Sequence, residues 1–217
     1  MPRPALFDMD RTLVRRETAS LYIRYQRDVG EATFKDSLRV GYWVLQYTLG
    51  IIDAKKVAER ALAQFRGMPE SHLESRCEDW FRRYVEVHVS DRARDVVAAH
   101  LASGDTCAIV TGASPYAARP LAKALAIPHV VASELEIDSD GRFTGRPSYP
   151  LCYAEGKLER ATKLAQRLGF ELRDSVFYSD SITDLPLLEA VGEAVCVNPD
   201  FRLRRVARKR GWRIEVW

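Results

Sequence analysis

A short apolar run that ends in two aspartates constrains this chain more than any other stretch. It reads Ala5-Leu6-Phe7-Asp8-Met9-Asp10-Arg11-Thr12-Leu13-Val14. On a strand, side chains two residues apart point to opposite faces. Asp8 and Asp10 therefore meet in one site only if the backbone turns between or just after them. Carboxylates at a strand's C-terminal end suit the crevice at the edge of a parallel sheet. In that setting Asp8 suits a nucleophile and Asp10 an acid/base, with a divalent cation balancing their charge.

The order of elements supports such a sheet. After the first strand (residues 4–9) the period becomes helical. Leu21, Tyr22, Tyr25 and Val29 share a face up to Gly30. Further helices are expected over residues 33–49, from an Asp53 cap to Gly67, and from Glu70 through Val85. From Ser90 strands and helices alternate. Helix 91–103 precedes strand 106–111, and helix 115–125, opened by Pro115, precedes a strand at 129–133. A hairpin turns on Asp140-Gly141 between 135–137 and 142–144. Helix 155–168, strand 174–179, a helix from Leu185, strand 194–197, a helix capped by Asp200 and strand 212–216 complete the chain. The expected fold is α/β, a doubly wound parallel sheet. Residues 1–14 and 90–217 would form the core, and residues 15–89 a helical cap inserted after the first strand.

Three later stretches carry polar groups where strands end or helices begin. Thr111-Gly112-Ala113-Ser114 follows an apolar strand and opens a helix, so its hydroxyl and free N–H groups suit a phosphoryl group. It reads equally as an ordinary loop with Ser114 as N-cap. Lys157 falls in the first turn of a helix, where the backbone's partial positive charge makes a cation want anionic neighbours; surface lysines are also common. Asp180 and Asp184, four apart at a strand-to-helix junction, can converge on Mg²⁺, which prefers hard oxygen ligands; an N-cap and a surface acid are the plainer reading.

Taken in order, DxDxT, Thr, Lys and DxxxD resemble the four motifs of the haloacid dehalogenase superfamily in its phosphatase form, over nearly the whole chain. The insertion resembles a type I cap. Leu13-Val-Arg-Arg-Glu17-Thr is similar to the start of phosphoserine phosphatases, and Cys152-Tyr-Ala-Glu-Gly-Lys157 to the broader IB subfamily. The resemblance implies a Mg²⁺-dependent phosphatase acting on a small phosphate ester through an aspartyl-phosphate. Asp8 would be the nucleophile and Asp10 the acid/base with a raised pKa. Asp8, the Asp10 carbonyl and Asp180 would hold Mg²⁺, with Asp184 orienting Lys157 or a metal-bound water. The N–H groups of Met9 and Gly112, with Thr111 and Lys157, would bind the phosphoryl group, and Glu17 a substrate amine. An acid two residues after the nucleophile favours phosphatase over dehalogenase chemistry. A phosphoserine phosphatase proper, a phosphotransferase and a non-catalytic binding module are the alternatives. The family's usual Gly-Asp-Gly-x-Asn-Asp is Ser179-Asp180-Ser181-Ile182-Thr183-Asp184 here, and neither Arg60 nor Arg66 falls on the pattern of a substrate-carboxylate arginine.

Charge narrows the partners. With 33 basic and 30 acidic residues in 217 the net charge is +3, which gives no warrant for nucleic acid. The basic residues after Asp200 (Arg202, Arg204, Arg205, Arg208, Lys209, Arg210 and Arg213) read as a solvated helix face, with a phosphorylated polymer or anionic lipid surface as the second reading. Cys77, Cys107, Cys152 and Cys196 form no CxxC pair and read as reduced thiols. The longest apolar run, Tyr42 to Ile52, is too short to span a bilayer, and no secretory signal is apparent, so a cytoplasmic enzyme is expected. The aromatic residues of the insertion (Tyr22, Tyr25, Tyr42, Trp43, Tyr47, Phe65 and Trp80) are read as cap core, or as an apolar specificity pocket or contact patch. Oligomeric state is left open.

Overall fold

The computed structural model describes residues 3–31 and 54–217. Alternate residues of each central strand feed opposite sides of one sheet. Ala5 and Phe7 of β1 (Ala5–Phe7) join one apolar cluster and Leu6 the other. The same split holds for β2 (Cys107–Val110), where Cys107 and Ile109 face one side and Ala108 and Val110 the other. A strand buried on both faces reads as a continuous apolar run because helices cover both sides. With β3 (His129–Val131), β6 (Val176–Ser179), β7 (Glu193–Val197) and β8 (Arg213–Glu215), these strands form a parallel sheet in the order β3-β2-β1-β6-β7-β8. β1 lies between β2 and β6, and Phe7 stands opposite both Ile109 and Tyr178. That register brings the ends of three strands to one edge.

The helices start and stop where their sequence supplies partners. Ser90 and Ser114 accept from the N–H groups of Ala93 and Ala117, at the starts of α4 (Asp91–Ala102) and α5 (Pro115–Ala124). Asp200 accepts from Arg202 and Leu203 at the start of α8 (Phe201–Arg210). Gly169 ends α6 (Glu155–Leu168) at φ +75°, in the left-handed region that glycine enters cheaply. α7 (Leu185–Ala190) completes the core. Most of its strands run shorter than the hydrophobic runs suggest, β1 covering Ala5–Phe7 within the expected 4–9, whereas β7 starts one residue earlier than expected.

Between β1 and α4 lie α1 (Thr18–Asp28), α2 (Ala54–Leu62) and α3 (Glu70–Trp80). The helix expected at 33–49, its residues Tyr42, Trp43 and Tyr47, and the Asp53 cap fall outside the described residues. The helix expected from Glu70 to Val85 divides at Trp80 and continues as a π-helical turn over Phe81–Val85. The two strands of chain that enter and leave the cap lie side by side. Val14 and Val89 form an antiparallel bridge, Arg15 N donates to His88 O and Ser90 N to Leu13 O.

The hairpin of β4 (Leu135–Ile137) and β5 (Phe143–Pro147) stands apart from the main sheet. It joins the cap, since Gly67 N donates to Phe143 O and Phe143 N to Met68 O. Phe65, Leu73 and Cys77 of the cap, Tyr116 of α5, and Leu135 and Phe143 of the hairpin form one buried cluster. A division of the chain at residues 14 and 90 therefore cuts through shared packing. No helix among the described residues is long and apolar enough to cross a membrane.

Candidate active site

The turn that the two aspartates require comes directly after β1. Asp8 N still donates to Tyr178 O as if the strand continued, and then Val14 N closes back on Met9 O. This loop carries Asp8, Met9 and Asp10 over the sheet edge, with Asp8 and Met9 buried. Thr12 is also fully buried beneath them.

Lys157 reaches this loop from the first turn of α6. Its Nζ donates to Asp8 Oδ1 at 2.7 Å and to Asp184 Oδ2 at 2.7 Å. Both acids and the ammonium are buried. These are the anionic neighbours that a lysine at a helix N-terminus needs. Ser179, at the end of β6, donates from Oγ to the same Asp184 oxygen at 2.6 Å, so Asp184 is fixed from two sides. Asp180 is buried one residue beyond. Thr111 is buried at the end of β2, where its Oγ1 accepts from Ala113 N. A Cβ on Gly112 would lie 3.5 Å from Cys152 O, so this position tolerates a small side chain, and what the loop offers is its backbone.

The electrostatics are those of crowded carboxylates. Burial pushes the Asp8 carboxyl up to about 7, against the lowering pull of Lys157. Burial, then the charges of Asp8 and Glu17, push Asp180 up to about 8. Burial also raises Asp10, although Thr18 N donates to its Oδ1 at 2.6 Å and favours the ionised form. Burial works against the Lys157 charge, but Asp184 and Asp8 outweigh it and keep the group an ammonium. Lys157 is thus paired with two of these acids, Asp8 and Asp184.

Among the described residues, no three His, Cys, Asp or Glu side chains converge as a preformed metal cage. The expected set of two carboxylates and a backbone carbonyl is of a different kind. It suits a small hard cation that keeps waters or takes substrate oxygens. The surplus of buried carboxylate oxygen fits Mg²⁺ and no soft metal.

Other expected residues fall further out. Glu17 is exposed at the start of α1, with burial raising its pKa and Asp10 adding to the rise. Thr183 Oγ1 pairs with Ser181 Oγ. Arg66 packs against the hairpin, where a Cβ on Gly145 would come within 3.1 Å of its own Cβ. The cap aromatics pack on one another, Tyr22 edge-on to Trp80 and Tyr25 edge-on to Tyr84. They are thus cap core in this part of the insertion. Two residues near the acids were not singled out by the motifs. Ser179 is a strand-end hydroxyl one residue before Asp180, a position the motif spacing could have flagged. Arg11 turns its guanidinium toward Asp180 and Glu17, and no spacing rule marks it.

A family model described as haloacid dehalogenase-like hydrolase matches residues 5–189. A probable phosphatase of Mycobacterium tuberculosis is 30% identical over 220 residues, covering 96% of this chain and 73% of that one. A histidinol-phosphatase of Neisseria meningitidis serogroup C is 28% identical, covering 98% and 97%. A phosphoserine phosphatase of Mycobacterium tuberculosis is 34% identical, covering 97% and 69%. Among solved structures, a protein of unknown function from Bordetella pertussis Tohama I superposes with a TM-score of 0.92 at 33% identity, covering 99% and 98%. A substrate-bound phosphoserine phosphatase shares the fold with a TM-score of 0.70 at 19% identity, covering 100% and 93%.

Proposed function

The chain belongs to the haloacid dehalogenase-like hydrolase family and is a phosphatase, and from that premise we propose how its residues divide the work and which esters it takes. Asp8 attacks phosphorus in line, forming an aspartyl-phosphate as the bond to the leaving oxygen breaks. Asp10 gives that oxygen a proton, and its carboxylate then takes one from the water that attacks the aspartyl-phosphate. Inorganic phosphate leaves and Asp8 is restored. A buried Asp10 with a raised pKa suits the first of these roles. Lys157 neutralises Asp8 and the phosphoryl oxygens, while Asp184 and Ser179 hold its ammonium in line. Thr111 and the N–H groups of Met9 and Gly112 bind the phosphoryl group.

Asp8, Asp180 and the Asp10 carbonyl would hold Mg²⁺, which supplies positive charge to the phosphoryl oxygens when bound. The observation that carries this reading is the contact between Lys157 and Asp8 at 2.7 Å, across 149 residues of sequence.

The substrate class is a phosphomonoester of a primary alcohol with an amino group on the next carbon. The relatives named histidinol-phosphatase and phosphoserine phosphatase both imply esters of this kind. Glu17, exposed just before α1, would pair with the ammonium. On this reading the amine is the shared feature, so phosphoserine is one candidate rather than the required substrate. The cytoplasm is the compartment this reading assigns, in keeping with four free thiols.

Hydrolysis of p-nitrophenyl phosphate by wild type with Mg²⁺, wild type in EDTA, and Asp8→Asn tests the chemistry; equal rates in all three would remove it. Histidinol phosphate, phosphoserine and glycerol phosphate, each compared between wild type and Glu17→Gln, test the substrate class. A Glu17→Gln loss confined to the amino esters is expected, and an equal loss on glycerol phosphate would overturn the class.

A further inference from the structure

Arg11 occupies a backbone conformation that costs an arginine more than it would cost a glycine. Its φ is +53°, in the left-handed region where a Cβ crowds the backbone. The strained turn is braced from the far side of the site. Asn198 Nδ2 donates to Arg11 O at 3.2 Å, and Asn198 Oδ1 accepts from Trp217 N at 3.1 Å. A residue kept at such a place by its neighbours points to work for its side chain.

The guanidinium folds back toward the acids. Nε stands 3.6 Å from Asp180 Oδ2, and one terminal nitrogen 3.8 Å from Glu17 Oε1. Both separations are too long for good hydrogen bonds, so the attraction is mainly Coulombic and few bonds hold the group in place. Lys157 is committed to Asp8 and Asp184. Among the described residues, the ion pair to Asp180 comes from Arg11. The Arg11 side chain is 49% exposed and that of Asp180 10%, so the guanidinium can swing outward while the carboxylate stays.

We propose that Arg11 is a resident counter-ion for Asp180, displaced toward Glu17 when a divalent cation takes that carboxylate, and that it thereby sets the cation affinity of the site. This rests on the reading of Asp180 as a Mg²⁺ ligand. A guanidinium and Mg²⁺ repel when both crowd one carboxylate, so each cation bound must first move Arg11. In the substrate-free enzyme Glu17 supplies the second resting place, being close enough to attract the guanidinium and exposed enough to let it leave. The device makes the cation compete with Arg11 for the Asp180 carboxylate.

Calorimetric titration of Mg²⁺ into the EDTA-stripped full chain tests this with wild type, Arg11→Asn and Arg11→Lys. Asparagine tolerates a positive φ and carries no charge. Arg11→Asn should bind Mg²⁺ about tenfold tighter, a change of the size that losing a half-screened charge pair produces. Arg11→Lys should stay near wild type. The affinity difference should shrink between about 0.05 and 0.5 M NaCl, which a merely structural role would not produce. Should Arg11→Asn fail to fold, Arg11→Gly, suited to the same φ, takes its place. Wild-type binding with an unchanged or weaker Kd in the neutral variant overturns the inference and leaves the metal reading standing. No binding by either protein overturns both.

Discussion

Lys157 and Asp184 meet at 2.7 Å although they enter the site from different helical segments, and Ser179 ties the same carboxylate oxygen from below. On the proposed reading Asp184 acts through Lys157. Asp184→Asn should lower kcat about 10- to 100-fold while leaving KM nearly unchanged, as outer partners of a catalytic group do. Asp184→Ala should also cost about 3 kcal/mol in urea unfolding, because it strips one partner from a buried ammonium. Steady-state kinetics and denaturation on both variants check this.

Asp10 is expected to matter in proportion to how badly the leaving group needs a proton. Asp10→Asn should lose about 10²- to 10⁴-fold on an alkyl phosphate. In the first step with p-nitrophenyl phosphate, whose leaving anion is stable, it should lose far less. Phosphoenzyme should then accumulate, because the water of the second step lacks its base. Rapid-quench measurement of the nitrophenolate burst reads both effects.

Gly156 lies where no side chain fits. A Cβ there would stand 2.0 Å from Leu151 O. Gly156→Ala should cost about 1–3 kcal/mol and shift the start of α6. The shift should lower kcat at least tenfold, because Lys157 is the next residue. Gly192→Ala meets an equal clash, 2.0 Å from Arg173 O, at the start of β7. That variant should lose stability and keep its kcat.

Asp105 lies away from the site and gives the folded chain an acid limb. Burial alone would raise its carboxyl, but hydrogen bonds from His100 and the Arg3 N–H hold it below the usual carboxylate value. A depressed folded pKa contributes stability above the unfolded value of about 3.8, and that stability is lost as pH falls through the folded value. Asp105→Asn should therefore be less stable than wild type at neutral pH, with the gap narrowing as pH falls below 4. Urea titrations at several pH values measure it.

Tyr116 Oη donates to Glu70 Oε1 at 2.7 Å, from a core helix to a cap helix. Tyr116→Phe should cost about 0.5–1.5 kcal/mol without changing kcat. Hydrogen exchange should show the loss first at the start of α3.

The sheet and most of the site were legible because both leave regular marks. Ala5-Leu6-Phe7 and Cys107–Val110 are apolar without interruption, and such runs specify strands covered on both faces. Asp8, Thr111, Lys157 and Asp180 sit at element boundaries, where local sequence already implies a turn or a helix start. The position of the hairpin was not legible. Its Asp140-Gly141 turn predicts a hairpin, but nothing in its period says that Phe143 pairs with Met68 rather than with the main sheet. Arg11 escaped notice for a similar reason, since its placement depends on a positive φ and on Asn198, far along the chain.

The backbone bonds between Phe143 and the segment Gly67-Met68 have a consequence for how such a molecule can change. Two distant stretches of sequence share one buried cluster, while Asp8 and Lys157 stand on other elements. Lengthening or reshaping the hairpin should therefore alter the cap's packing before it disturbs the contact between Asp8 and Lys157.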